Sequence, residues 1–277
     1  MSVLKDLKPE RVFYYFEEIT KIPHGSGNTK QISDYLVEFA KEHGLKYIQD
    51  ESNNVIIFKD ASKGYEKAPC VILQGHMDMV CEKTPESSHD FTKDPLELVV
   101  EGDYISAKDT TLGGDDGIAV AYALAILEDD SLCHPALEVL ITVDEEIGLL
   151  GAVALDTTPL KGRYLINLDS EEEGYLWVGC AGGLRTKSRI PVKYQEAEGT
   201  KYEITVTGLL GGHSGSEIDK NRANATLLLG RFLFEAREKG QYVLAELEGG
   251  QKDNAIPRTA RALILTDKDT GAELQKF

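Results

Sequence analysis

The chain has 277 residues, 42% of them apolar and 28% charged, and carries a formal net charge of -17. That length and composition describe a globular protein of one large domain or two, with a substantial core, and exclude a disordered chain. The excess of acid argues against a phosphate-binding surface, so nucleic acid is not an expected partner, and no window reaches the length and apolarity of a membrane span.

The N-terminal stretch MSVLKDLKPERVFYYFEEI interleaves acids with bases and lacks the apolar run of a signal peptide. Four cysteines, Cys70, Cys81, Cys133 and Cys180, form no CxxC pair and read as reduced thiols of a cytoplasmic protein. Val12, Tyr15, Phe16 and Ile19 recur at helical spacing after Pro9, predicting a helix within residues 9–21. A turn-rich link, IPHGSGN, follows. A second helix is predicted over 29–43, closed by Gly44. Residues 46–49 and 54–59 read as two strands joined across the polar turn DESN.

The stretch VILQGHMDMVC at 71–81 opens as an apolar strand and then presents His76 and Asp78 two residues apart. In extended backbone, side chains at i and i+2 share a face, so both address one point at the strand's end. An imidazole beside a carboxylate suits a transition metal, although HxD alone equally describes an ordinary strand end. The polar segment 82–95 is too rich in turn formers for a regular element. It is either a functional loop or a plain surface excursion. A strand pair at 96–100 and 104–107 follows.

TTLGGDDG introduces an apolar run, IAVAYALAIL at 118–127, that predicts a buried helix with Asp115 and Asp116 at its mouth. Capping explains one of the two carboxylates and leaves the other free. Two apolar strands, ALEVLITV at 136–143 and YLINL at 164–168, end in DEEIG and DSEEEG. Strands alternating with buried helices predict an α/β sheet covered by helices, with ligands at the strands' carboxyl ends. Beyond Gly182 the pattern becomes that of a smaller α+β domain. TKSRIPV and KYEITVTGLL read as strands, then come GGHSG, a helix over about 221–239, strands at 242–248 and 260–266, and a helix entered by GAELQKF.

Four element ends thus offer His76 with Asp78, Asp115 with Asp116, Asp144 with Glu145 and Glu146, and Asp169. One imidazole among several carboxylates suits zinc, manganese or cobalt rather than a structural thiolate site. Two ions sharing a carboxylate, roughly 3.5 to 4 Å apart, form a hydrolytic centre. Of two adjacent glutamates one can bind metal while the other handles a proton. Each end alone has an ordinary structural explanation; four in one sheet need four coincidences.

GHMDMV, TTLGGDDG, VDEEIG, INLDSEEEGYLWVGCAGG and GLLGGHSG, in that order, resemble the M20 family of metallopeptidases, and within it the aminoacyl-histidine dipeptidases. HDFTKDP at 89–95 and NAIPR at 254–258 fit the same group. The resemblance implies an α/β catalytic domain with a mixed sheet over residues 1–184 and an incomplete lid and dimerisation domain over 185–277. It implies a hydrolase that cleaves unblocked dipeptides, Xaa-His among them, with two divalent ions, zinc foremost. His76 would be a terminal ligand oriented by Asp78, Asp115 the bridge, Glu146 a ligand of the second ion and Asp169 of the first. Asp116 would not be a ligand. Glu145 would be the general base, and His213 would reach the site of a dimer mate. Asn254 and Arg258 would face the substrate or serve as turn and surface residues. Family members continue further and supply a final histidine to the second ion, whereas after Asp169 the only histidine here is His213. A fragment with one ligand missing and weak or absent turnover by itself is the corresponding expectation. Two alternatives share the motifs: an M20 deacylase or desuccinylase acting on N-acyl amino acids, and a non-catalytic dimerisation fragment.

Overall fold

Apolar side chains at helical spacing give α1 (Glu10–Ile19) and α2 (Lys30–Glu42) one buried face each, α1 packing on the helix that follows residue 113 and α2 on the first two strands. Val12, Tyr15, Phe16 and Ile19 on the first, and Ile32, Leu36 and Phe39 on the second, are buried in one cluster. Gly44 ends α2 with φ +64°, the left-handed conformation in which glycine avoids the Cβ penalty. The computed structural model describes residues 2–276, apart from 171, 172, 181, 183, 185 and 216. Parts of the DSEEEG and GCAGG segments, and Arg185 at the expected domain boundary, lie outside the described residues. The described chain divides into two units, Met1–Cys180 and Ala181–Phe277.

In the first unit β1 (Lys46–Gln49) and β2 (Val55–Lys59) form the predicted hairpin. Next come β3 (Val71–His76), the small pair β4 (Leu98–Glu101) and β5 (Tyr104–Ala107), and α3 (Gly114–Glu128). β6 (Leu137–Thr142), a short helix α4 (Leu150–Ala154) and β7 (Tyr164–Asn167) complete it. The main sheet has the order β1-β2-β6-β3-β7. β2 runs antiparallel to β6, while β3 is parallel to both β6 and β7, so the sheet is mixed, as expected. His76 faces Thr142 in register, and Gln74 faces Asn167. The three parallel strands therefore finish at one edge, where open α/β sheets gather their ligands.

Every residue of β6 is buried, as the apolar Leu137, Val139, Leu140 and Ile141 require of a central strand, and the buried Glu138 carboxylate accepts the Lys161 and Gly162 N–H groups. β7 lies at the sheet's edge, and all four of its residues are exposed. No helix among the described residues is long and apolar enough to cross a membrane.

The second unit contains β8 (Thr200–Val206), β9 (Gly212–His213), α5 (Ala225–Ala236), β10 (Tyr242–Gly249), β11 (Ala255–Ile256), β12 (Ala260–Thr266) and α6 (Lys268–Leu274). Its antiparallel sheet, β10-β12-β8, packs Ala260, Ala262 and Ile264 against Leu229 and Leu233 of α5. The strand expected over TKSRIPV is absent: the described residues between β7 and β8 form no strand, and Ile190 and Val192 are largely exposed. A strand is held by its ladder partners, and this stretch has none.

Candidate metal centre

His76 is the last residue of β3 and is fully buried. Its Nδ1 lies 3.0 Å from the carbonyl oxygen of Asp78 and 3.3 Å from Asp78 Oδ1. Nδ1 is thereby the natural proton-bearing nitrogen of the neutral ring, and Nε2 is left as a donor to an electrophile. Nε2 points into carboxylates, 3.1 Å from Asp115 Oδ1 and 3.9 Å from Asp169 Oδ2.

Asp78 has a wider role than orienting the ring. Its Oδ1 accepts from the backbone N–H of Glu145 at 3.0 Å, and its Oδ2 accepts from Glu146 N–H at 3.4 Å and from the Ser26 hydroxyl at 2.8 Å. One buried carboxylate therefore fixes both the imidazole and the backbone of the glutamate pair. Burial pushes its pKa up, but the His76 ring and these donors outweigh burial, and it lies below the usual range. Gly27 N–H donates to Asp144 Oδ1 at 2.7 Å, so the IPHGSGN link braces the same loop from the other side. In the sequence that link reads as a turn only, and nothing in its spacing marks Ser26 or Gly27.

The helix mouth departs from expectation. Neither Asp115 nor Asp116 caps α3: no side-chain cap bond is formed, and both residues have non-helical backbone angles. Asp116 instead turns inward, is 2% exposed, and its Oδ2 accepts the His76 backbone N–H at 3.1 Å. Gly75 permits this approach, because a Cβ there would stand 2.6 Å from that oxygen and 2.7 Å from Ala119 Cβ.

Among the described residues, two groups of potential ligands have atoms within 4.8 Å of one another: His76, Asp116 and Asp169, and His76, Asp115 and Glu146. The shared member is His76, whereas the family resemblance implies that Asp115 is shared. An imidazole with Nδ1 committed offers one nitrogen to one ion, so the two groups are overlapping choices around a single His76-anchored position. Asp116, expected not to be a ligand, lies within the first group, although one oxygen is already engaged by a peptide N–H.

The electrostatics fit a cation. Burial pushes the carboxyls of Asp116 and Glu146 up to about 7, helped by neighbouring carboxylates, and raises that of Glu145. Burial would lower the His76 pKa, but Asp115 and Asp78 override it and raise the ring to about 11. Crowded acids that retain protons around an imidazole that gains one are short of positive charge, and a divalent ion supplies it.

His213 belongs to the second unit. It lies on β9, paired with Ala255, and lines a cavity of about 670 Å³ with Asn254 and Arg258. Its backbone N–H donates to Glu217 Oε2 at 2.9 Å, and Gly215 N–H donates to its Nδ1 at 3.1 Å.

Residues 204–277 match the M20 peptidase dimerisation domain. Over 271 residues, 97% of its length, the chain is 42% identical to the cytosol non-specific dipeptidase of Escherichia coli K12 and spans 56% of that protein. The crystal structure of the aminoacylhistidine dipeptidase from Vibrio alginolyticus superposes with a TM-score of 0.73 at 39% identity, covering 99% of this chain and 56% of that one. The aminopeptidase PepT of Bacillus cereus, at 19% identity and a TM-score of 0.51 over 96% of this chain and 69% of that one, shares the fold. The chain thus spans about half the length of the dipeptidases it resembles.

Proposed function

From this resemblance to M20 metallopeptidases over nearly the whole chain, we propose that the protein is a metal-dependent dipeptidase acting on unblocked dipeptides, Xaa-His among them. The observation that carries the reading is the buried His76, held by Asp78 with Nε2 facing Asp115 and Asp169, beside a glutamate pair positioned by the same Asp78.

His76, Asp115 and Asp169 would hold one divalent ion, and Asp115 with Glu146 would contribute to a second; zinc, with manganese or cobalt as alternatives, suits these donors. The second position has no imidazole of its own among these residues. When bound, such ions polarise a scissile carbonyl and make water a stronger acid. Glu145 is free of that duty. Its raised pKa brings it nearer neutrality, where a carboxylate can take a proton from the attacking water and return it to the leaving amine. Asp78 keeps the Glu145 backbone in register with His76. His213 would support the oxyanion or the substrate carboxylate from a partner subunit, and the match to a dimerisation domain supports a homodimer. A cytoplasmic location accords with the free thiols of Cys70, Cys81, Cys133 and Cys180.

A deacylase of N-acyl amino acids would use the same ligands. A panel of free dipeptides and N-acyl amino acids presented to the full-length protein separates the two: hydrolysis of the dipeptides is expected, and cleavage of N-acyl amino acids alone would overturn the assignment.

A further inference from the structure

The loop between β6 and α4 carries Asp144, Glu145 and Glu146, and its two ends meet at a narrow neck. Gly151 N–H donates to Val143 carbonyl at 3.0 Å, closing residues 144–150 into a compact excursion. At that neck lies the side chain of Asn54, the residue just before β2, which is 1% exposed.

The Asn54 amide bonds to both sides of the neck. Its Oδ1 accepts the Val143 N–H at 3.1 Å, and its Nδ2 donates to the Gly151 carbonyl at 3.0 Å. Nδ2 also donates to Asp50 Oδ2 at 2.7 Å, while Asp50 Oδ1 accepts the Asn54 N–H at 2.8 Å. The amide's oxygen and both its donor hydrogens are therefore engaged, and Asp50 sets which way it faces. The neck has no spare room: a Cβ on Gly151 would fall 2.4 Å from Val143 carbonyl oxygen and 2.5 Å from Asn54 Oδ1.

We propose that Asn54 is a positioning residue for the glutamate loop, fixing where it leaves and rejoins the scaffold while Asp78 fixes its tip. Asn54 has no bond to Glu145 or Glu146 and acts through the neck alone. The roles of those two glutamates rest on the dipeptidase reading; the positioning does not. Without the amide, the buried Val143 N–H and Gly151 carbonyl lose these bonds, and the neck relaxes. The peptide N–H groups of Glu145 and Glu146 then drift from Asp78, and Glu146 drifts from the ligand cluster.

The test compares Asn54→Ala and Asn54→Asp with Ser33→Ala in this chain. Asp keeps the acceptor for Val143 and loses the two donated bonds. Ser33 bonds to the neighbouring Asn53 carbonyl at 2.8 Å and is also buried, but it does not touch the loop. The readings are Mn2+ affinity by calorimetric titration and hydrogen exchange at the Glu145 and Glu146 amides. Both Asn54 variants are expected to bind Mn2+ about 10- to 100-fold more weakly and to exchange those amides faster, with Ser33→Ala moving neither. Wild-type affinity and exchange in either Asn54 variant, or equal losses in Ser33→Ala, would overturn the proposal. If Asn54→Ala does not fold, Asn54→Asp decides. Neither reading uses peptide hydrolysis, so failure of the dipeptidase assignment would appear separately in the substrate panel.

Discussion

Glu145→Gln in the full-length protein lowers kcat for dipeptides by about 100- to 10,000-fold, the usual contribution of a general acid-base group, while metal content is retained. The separation follows from the geometry. Glu145 belongs to neither of the ligand groups, and its place is set by its backbone N–H on Asp78 rather than by its carboxylate. Gln preserves size and leaves that backbone bond intact, so the substitution removes a proton carrier and little else. Steady-state kinetics with metal analysis checks this. Normal turnover would remove Glu145 from the mechanism, and loss of metal together with turnover would make it a ligand.

Divalent metal raises the thermal midpoint of the metal-free chain, and raises it more at pH 8 than at pH 5.5. The sign follows from the raised acids. Asp116 and Glu146 titrate near 7 in the folded chain, against ordinary values of 3.8 and 4.5. The folded state binds their protons more tightly than the unfolded state does. Their contribution to stability is thus complete below the ordinary values and is lost as pH rises towards 7. His76, raised to about 11, adds a contribution complete below its ordinary value of 6.5 and lost as pH climbs through 11. A dication must displace the His76 proton and meets ionised carboxylates only at higher pH, so its affinity increases as the metal-free protein weakens. At an ion concentration about 100-fold above Kd the stabilisation is about 2.7 kcal/mol, or about 5 to 10 °C for a domain of this size. Differential scanning fluorimetry with Mn2+ at the two pH values reads it. His76→Ala should abolish the shift, and an equal shift at both values would contradict the assignment of these groups.

The parts of this architecture that could be read from sequence are those where one physical pattern dominates. Helical spacing of Val12, Tyr15, Phe16 and Ile19 marks the buried face of α1, and the apolar, β-branched content of Leu137–Thr142 marks a central strand. The carboxyl ends of the parallel strands bring His76 and Asp169 to one edge, and the mouth of α3 brings Asp115 there. Details set by tertiary contact were not legible. TKSRIPV has the β-branched content of a strand but no ladder to join. Asp115 and Asp116 have the signature of helix caps, yet the demand of the His76 N–H draws Asp116 inward. Asn54 reads only as the first residue of the strand expected over 54–59, and only the fold brings it to Val143 and Gly151, 89 and 97 positions away.

Anomalous scattering from crystals of the protein grown with Mn2+ or Zn2+ locates the ion directly. An ion is expected at roughly 2.0 to 2.2 Å from His76 Nε2, with Asp115 and Asp169 as further ligands and Glu145 uncoordinated. Crystals that bind the ion elsewhere, or that place Glu145 on it, would contradict the assignment of His76 as the anchor of a hydrolytic metal centre.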